Sequence, residues 1–230
     1  RKEGKRKILT YSMDGKTEEL VGDEILLAAG KIPNTDGLNL EKAGVETDKS
    51  NAIKVNEHFQ TTASHIFAAG DVAALPLRLE ITAGNEGSRA AENALTGSGL
   101  SIDYDTVPYT IFTDPQLAGV GITEEESMRR MGKCLCRTVS LEAVPKAMII
   151  NRTQGMVKMV IHPETKVILG VHILSPQAGE LVAWAATLVK NKNTIHDVLD
   201  TLPMFPTLAE SIKLVAMSFV RDISKMSCCT

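Results

Sequence analysis

Two short apolar segments that each end in glycine constrain the fold of this chain more than any other feature. The first is "ILLAAG", residues 25–30, and the second is "IFAAG", residues 66–70, which Asp71 follows. Their near-continuous apolar character predicts strands that are buried on both faces, as in a parallel sheet. Gly70 removes a Cβ, so a ligand could lie against the backbone, and Asp71 follows at the carboxyl end of the strand, where open α/β sheets bind ligands. A lone Gly-Asp pair is also typical of ordinary turns, so the rest of the sequence decides its meaning.

The kinds of predicted elements change near residues 97–108, where turn-forming residues accumulate. Before this point, Asp14-Gly15 between two extended runs is a strong hairpin signal. After it, predicted strands mostly precede predicted helices, which favours an antiparallel sheet covered on one face by helices. Helices are predicted at residues 40–43, 79–96, 123–132, 177–192, 194–202 and 207–223, and strands of the second half at 110–114, 117–122, 133–141 and, as a hairpin, 155–175. The predicted fold class is therefore α/β before the change and α+β after it.

Charge and hydrophobicity argue against several classes of partner. The 230 residues carry a formal net charge of −3, and 43% of them are hydrophobic. A small negative charge gives no reason to expect nucleic acid or an anionic membrane as a partner. No apolar run approaches the roughly 20 residues of a membrane span. Because residues 1–20 also lack the apolar stretch of a signal peptide, we expect a cytoplasmic protein.

The four cysteines form two close pairs, Cys134 with Cys136 and Cys228 with Cys229. This arrangement does not resemble a disulfide framework, and in a reducing compartment such pairs more often bind metal or exchange thiols. Cys134 and Cys136 lie two apart on a predicted strand and so point to one face. Both could reach one metal ion, although cysteines on strands are more often plain packing residues. Cys228 and Cys229 are near the C-terminus, where we expect a mobile tail that packs little.

Five segments, in the same order, resemble motifs of the pyridine nucleotide-disulphide oxidoreductases. "TTASHIFAAGDVA" (61–73) is similar to the second flavin-binding motif of this family, and "ILLAAGKIPNT" (25–35) is similar to the motif before it. "VPYTIFTDPQLAGVG" (107–121) resembles the opening of the family's interface domain, and "HILSPQAGELV" and "FPTLAES" resemble later parts of that domain. The five segments span nearly the whole chain, which is therefore identified as resembling the C-terminal half of such an enzyme.

The resemblance implies FAD and NADPH as cofactors and assigns residues to their binding. Those residues are Gly30, Gly70, Asp71, Val72 and Glu80. Asp71 is expected to accept a hydrogen bond from the ribityl chain of FAD. Glu80 falls in the first turn of a helix whose N-terminus is expected to face the flavin, but a solvated glutamate fits the same position.

The resemblance also divides the chain into three parts. Residues 1–23 are expected to end the NAD(P)-binding domain, and residues 24–102 to close the FAD-binding domain. Residues 103–230 are expected to form the interface domain, through which the protein is a homodimer.

Within the family, the segments "TDPQLAGVG" and "SLEAVPKA" and the "SCC" of the tail are similar to the mercuric reductases. This similarity implies reduction of Hg(II) to Hg(0) with electrons from NADPH and FAD. Cys228 and Cys229 are expected to capture Hg(II), since thiolates are good ligands for soft cations. They would then pass the ion by thiolate exchange to redox cysteines of the partner subunit.

Several parts of the complete enzyme are absent from these 230 residues, which contain no GxGxxG loop, no CxxC pair and no P-loop. We expect these parts N-terminal to residue 1. The chain by itself is therefore not expected to reduce Hg(II).

Phe205 occupies the place of a catalytic histidine in the disulfide-reducing relatives, while Pro206, Thr207 and Glu210 match their motif. Because phenylalanine cannot transfer a proton, Phe205 could line the substrate path but is not expected to be a ligand. Glu210 is expected to be a carboxylate at a helix N-terminus. Two alternatives stay open: a non-catalytic module that dimerises and binds Hg(II), and another disulfide reductase of the family, against which Phe205 argues.

Overall fold

The structure is a computed structural model that describes residues 1–223. A three-stranded antiparallel sheet forms its N-terminal part, with strands β1 (Lys2–Glu3), β2 (Arg6–Met13) and β3 (Lys16–Gly22), of which β2 and β3 form a hairpin. Between β2 and β3, Asp14 and Gly15 have φ of 52° and 76°. A type I′ turn needs positive φ at both central residues, and Asp-Gly is among the pairs that tolerate it. The predicted hairpin is confirmed.

The two apolar segments predicted as buried strands do not form strands within residues 1–223. Residues 24–30 have no strand pairing, and Leu26 and Leu27 are 91% and 84% exposed. In residues 66–71, pairing is limited to one bridge at Phe67. A strand of a parallel sheet is buried only where other strands and helices flank it, and the described residues give these segments no such flanking strands. Both strand predictions are therefore wrong for this structure.

Helix α1 (Glu80–Thr96) confirms the long helix predicted in the first half. At its start, the Thr82 hydroxyl donates to the Leu79 carbonyl at 2.8 Å, and the Leu79 N–H donates to Thr82 Oγ1 at 3.2 Å. It ends at Gly97, whose φ of 68° is the left-handed conformation that commonly follows a helix. Short 3-10 turns occupy Leu40–Ala43, as predicted, and also Gly70–Val72 and Tyr104–Thr106.

An antiparallel sheet organises the second half of the described chain, as predicted. Its strands are β4 (Tyr109–Ile111), β5 (Gln116–Gly121), β6 (Leu135–Ser140), β7 (Met156–Ile161) and β8 (Ile168–Ser175). Within residues 1–223 their order is β4-β5-β8-β7-β6, and every neighbouring pair is antiparallel. Residues 163–165 lie in the turn between β7 and β8, where the sequence predicted it.

Helices cover one face of this sheet and enclose the main apolar core. The helices of this half are α2 (Glu124–Met131), α3 (Pro145–Ile149), α4 (Ala178–Lys190), α5 (Ile195–Asp200) and α6 (Glu210–Met217). Helix α4 packs against β4, β5 and β8, and α6 packs against β6 and β7. Buried side chains of the sheet and helices, such as Ile173, Ala185 and Ile212, form one core cluster. Among residues 1–223, no helix combines the length and the apolarity that crossing a bilayer requires.

Helix α6 is shorter than the helix predicted at residues 207–223. At its start, the Ser211 N–H donates to the carbonyl three residues earlier. At its end, the N–H groups of Phe219 and Val220 also bond to carbonyls three residues back instead of four. Such tight turns are typical of helix termini, and they limit the α-helical part to Glu210–Met217.

A buried carboxylate connects α1 to both of its neighbours along the chain. Glu86 is 0% exposed. Its Oε2 accepts the Gly70 N–H at 2.8 Å, and its Oε1 accepts the Tyr104 hydroxyl at 2.8 Å. Burial and the bond to Glu86 raise the pKa of Tyr104, so this hydroxyl stays a neutral donor. Glu86 thereby fixes the Gly70–Val72 turn and the 3-10 turn that leads to β4.

Gly121 ends β5 where two backbones approach closely. Its φ is +80°, and a Cβ at this position would overlap the carbonyl oxygen of Leu169. Only glycine meets both demands without strain. The sheet therefore depends on a glycine at residue 121.

We expect Gly121→Ala to lower the free energy of unfolding by about 3–5 kcal/mol, because the left-handed φ and the backbone overlap both add to its cost. Gly132→Ala is the matched control. Gly132 has a φ of +68°, but nothing lies within 4 Å of a Cβ built there, so only the cost of the φ, about 1–2 kcal/mol, is expected. Urea unfolding measures both. Equal losses in the two variants would show that the close approach at Gly121 is unimportant.

We expect Glu86→Ala to lower the free energy of unfolding by about 2–5 kcal/mol, because it removes a buried side chain and leaves the partly buried Gly70 N–H and Tyr104 hydroxyl without their acceptor. Tyr104→Phe removes one of these bonds and should cost about 1 kcal/mol. Glu92→Ala, on the exposed face of α1, should stay within about 0.5 kcal/mol of the wild type. If Glu86→Ala resembled Glu92→Ala in urea unfolding, Glu86 would not have this role.

Candidate functional site

The Gly70–Val72 turn, predicted as the flavin contact, packs on helix α1. Gly70 has a φ of +76°, and a Cβ there would lie 3.4 Å from the Cβ of Ala83. The Gly70 N–H donates to Oε2 of Glu86. The turn is therefore fixed from the α1 side, while Gly70, Asp71 and Val72 all stay partly exposed.

The structure joins the two sequence motifs of the first half through an ion pair. Lys31 Nζ donates to Asp71 Oδ2 at 2.6 Å and to the Arg78 carbonyl at 3.1 Å. The Lys31 and Asp71 side chains are 58% and 44% exposed, so solvent screens their attraction. The contact brings Gly30, the residue before Lys31, to the same part of the molecule as Asp71. A carboxylate offers about four acceptor positions, so Asp71 can bind Lys31 and still accept from a hydroxyl.

Gly30 has a φ of +104°, but nothing lies within 4 Å of a Cβ built on it. The backbone conformation thus favours glycine, but no close neighbour among the described residues requires it. The role of Gly30 at a cofactor stays a prediction.

The N-terminus of α1 borders an open cleft of 690 Å³. One side of the cleft belongs to the first turns of α1, including Glu80, and the other side belongs to β4 and α4. Its walls include Glu80, Ile81, Gly84, Tyr109, Phe112 and Val182. Glu80 is the first residue of α1 and is exposed. Free N–H groups and the positive end of the helix dipole make a helix start of this kind suited to an anionic group.

Phe205 lies between α5 and α6 and is 46% exposed. Its peptide bond to Pro206 is cis. Phe205 does not line the cleft at the start of α1, so the structure does not bring it together with Glu80. Cys228 and Cys229 lie outside the described residues.

Glu210 is the first residue of α6, the position expected for it. Burial raises the pKa of this carboxyl. Its Oε2 is buried and has no hydrogen-bond partner within residues 1–223. Burial and an oxygen atom without a donor both disfavour the charged form of Glu210. The N-terminus of α6 by itself therefore does not fully stabilise the negative charge.

Sequence reasoning missed the residues that hold the candidate site together. Lys31 directly follows Gly30 in the segment 25–35, so its place in a segment similar to a family motif was a usable signal. Glu86 and Tyr104 gave no signal, because a glutamate in a polar helix pattern is usually exposed. Their importance follows only from the packing of α1 between the turn and the sheet.

Comparison with known protein families gives two matches that together span most of the chain. Residues 1–116 match the family described as pyridine nucleotide-disulphide oxidoreductase. Residues 107–216 match the family described as pyridine nucleotide-disulphide oxidoreductase, dimerisation domain.

Curated relatives of the chain are mercuric reductases. That of Lysinibacillus sphaericus is 40% identical and that of Staphylococcus aureus 37% identical, each over 98% of this chain and 41% of the relative. That of Streptomyces lividans is 33% identical over 100% of this chain and 48% of the relative. The chain thus spans less than half the length of these relatives.

Solved structures agree with the fold. LpdA from Mycobacterium tuberculosis superposes with a TM-score of 0.79 at 31% identity, over 90% of this chain and 45% of LpdA. The HOCl-induced flavoprotein disulfide reductase RclA from Escherichia coli gives a TM-score of 0.76 at 26% identity, over 92% of this chain and 48% of RclA. With a family match over residues 1–116 and a second over 107–216, the chain belongs to the pyridine nucleotide-disulphide oxidoreductase family.

Proposed function

We propose that this chain is part of a mercuric reductase, an enzyme that reduces Hg(II) to Hg(0) with NADPH and FAD. The observation that carries the proposal is the similarity to curated mercuric reductases along 98% of the chain. The adjacent thiols of Cys228 and Cys229 add the chemistry that a soft metal substrate needs. We place the enzyme in the cytoplasm.

The first half of the chain offers features that fit a flavin cofactor. Gly70 presents backbone without a Cβ in a turn that Glu86 fixes. Asp71, bound to Lys31, keeps acceptor capacity for a hydroxyl, and Val72 completes the turn. We propose that Gly30, Gly70, Asp71 and Val72 contact FAD and that the start of α1, with Glu80, faces its ring system. FAD, when bound and reduced by NADPH, would supply the two electrons that Hg(II) takes up.

The cysteine tail is proposed to handle the metal. A thiolate binds Hg(II) strongly, yet another thiolate can displace it by direct attack, as in thiol–disulfide exchange. The pair Cys228 and Cys229 can therefore capture the ion and release it to the next pair without a change in its charge. We propose that this transfer runs to the redox cysteines of a partner subunit, with Phe205 along the path.

Dimerisation is proposed to run through the second half of the chain. Residues 107–216 match the dimerisation domain of the family. Large apolar side chains are exposed on this half, among them Phe112, Ile149, Leu202 and Met204. Aromatic side chains and methionines are enriched at protein interfaces relative to the rest of a protein surface. We therefore propose that residues 103–230 form the interface domain. For the rest of the chain, we propose that residues 24–102 close the FAD domain and that residues 1–23 end the NAD(P) domain.

Another disulfide reductase of the same family is the second candidate, because RclA and other flavoproteins share the fold. Phe205 disfavours this candidate. A disulfide reductase needs a group that moves a proton to the leaving thiolate, and a phenyl ring has none to give.

The proposal is testable in a chimera in which residues 1–230 replace the matching segment of the Lysinibacillus sphaericus relative. We expect NADPH oxidation that depends on Hg(II) and releases Hg(0), measured by absorbance and by mercury-vapour detection. Cys228→Ala with Cys229→Ala should slow reduction of thiol-bound Hg(II) at least about tenfold, which corresponds to about 1.4 kcal/mol in the barrier. The reason is that the variant lacks thiolates for the exchange step.

Flavin absorbance provides the control, since the double variant should bind as much FAD as the unchanged chimera. The unchanged 230-residue chain should show no Hg(II)-dependent NADPH oxidation. A flavin-loaded chimera that reduces glutathione disulfide or lipoamide but not Hg(II) would favour the second candidate. A flavin-loaded chimera with no reductase activity would favour a binding module.

A further inference from the structure

A group of three side chains with atoms of the metal-ligand type lies where the antiparallel sheet meets α2, apart from the cysteine tail in the sequence. The sulfur atoms of Cys134 and Cys136 and a carboxylate oxygen of Glu124 all lie within 4.8 Å of one another. Cys136 is on β6, Cys134 directly precedes this strand, and Glu124 is the first residue of α2. Three ligand atoms from two elements thus converge without any rearrangement of the backbone.

The cluster belongs to the face of the sheet that α4 and α6 do not cover. Side chains alternate along a strand, and Val139 of β6 belongs to the core cluster under the helices. Cys134 and Cys136 therefore point to the opposite face. All three residues of the cluster are partly exposed, so an ion from solvent can reach them.

A cation already accompanies the cluster. Lys158 of β7 forms an ion pair with Glu124. This ammonium, followed by the Cys136 thiol, holds the pKa of Glu124 below its ordinary value, so Glu124 is a carboxylate at neutral pH. A carboxylate has enough lone pairs to contact Lys158 and a metal ion at once.

The Cys136 thiol is weakly reactive in the absence of metal. Burial, the contact with Cys134 and the contact with Glu124 raise the pKa of Cys136 to about 11. Because the thiolate is the reactive form, Cys136 is a weak nucleophile at neutral pH. A bound cation reverses this preference, since its charge stabilises thiolates directly.

We propose that Cys134, Cys136 and Glu124 form a binding site for a soft divalent cation of the class of Zn(II), Cd(II) and Hg(II), separate from the Cys228–Cys229 pair. Thiolates select soft ions over Mg(II) and Ca(II). Two sulfurs on either side of one ion, each at about 2.3 Å, would be at most about 4.6 Å apart, and the two sulfur atoms lie within 4.8 Å of each other. Only small side-chain movements are needed.

Binding is an exchange of protons for metal. The two S–H bonds break, two metal–sulfur bonds form and two protons pass to solvent, and no oxidation state changes. The charges of the ion, two thiolates, Glu124 and Lys158 then sum to zero. Three protein ligands leave a fourth position open, as in sites where the ion exchanges with another ligand.

Cd(II) titration of the reduced 230-residue chain with Cys228→Ser and Cys229→Ser tests the site without interference from the tail. We expect one equivalent of Cd(II) to bind, with ultraviolet sulfur-to-cadmium absorption. Adding Cys134→Ser and Cys136→Ser should abolish this absorption. Glu124→Gln should weaken the affinity at least about tenfold, whereas Glu125→Gln, at an exposed neighbour, should leave it unchanged.

Three results would overturn the proposal: no Cd(II) bound by the chain that keeps Cys134 and Cys136, equal binding after both are replaced, or equal affinity in Glu124→Gln and Glu125→Gln. Urea unfolding of each variant shows whether it is folded. The titration contains no electron donor and no tail cysteines, so its outcome is independent of the proposed reductase activity.

Discussion

The arrangement of the candidate cofactor site depends on one buried carboxylate. Glu86 accepts from the Gly70 N–H and from the Tyr104 hydroxyl, and these two groups belong to segments on opposite sides of α1 in the sequence. A carboxylate without solvent is costly unless donors compensate it, so all three parts must be in place together. The Gly-Asp turn, helix α1 and the approach to the antiparallel sheet therefore form one unit.

The sequence predicts those elements whose stabilising contacts are local. Asp14-Gly15 specifies its own turn conformation, and Thr123 caps α2 by accepting the Glu126 N–H at 3.1 Å, so both elements appear where predicted. The segment at 25–30 fails for the opposite reason. Its apolar run indicates burial by other strands, and the described residues, less than half the length of the curated relatives, include none that pair with it.

The same distinction applies within the candidate site. Gly70 and Asp71 were predictable because the motif that contains them is continuous in sequence. The partner of Asp71 is Lys31, 40 residues away, and no periodicity links the two. Glu86 is harder still, because a buried and an exposed glutamate look identical in sequence until the neighbouring elements are known. Packing, rather than propensity, therefore decides which charged residues support the site.

The two cysteine pairs differ in how they would bind a metal ion. Cys134 and Cys136 lie at the start of a paired strand with Glu124 and Lys158 beside them, so ligand geometry and charge are provided before an ion arrives. A metal ion that binds Cys136 has to displace a proton from a thiol whose pKa burial raises to about 11. Protons therefore compete with the metal for this sulfur below that pH. Occupancy of a site of this kind depends on the supply of soft ions and on pH. Delivery to a redox centre requires a different property, a pair of thiolates that yields its ion to the next pair by direct exchange. One pair lies in the second half of the chain, beside the sheet, and the other lies near residue 230. Binding of a metal ion between fixed ligands and its transfer by exchange can therefore be carried out by different residues.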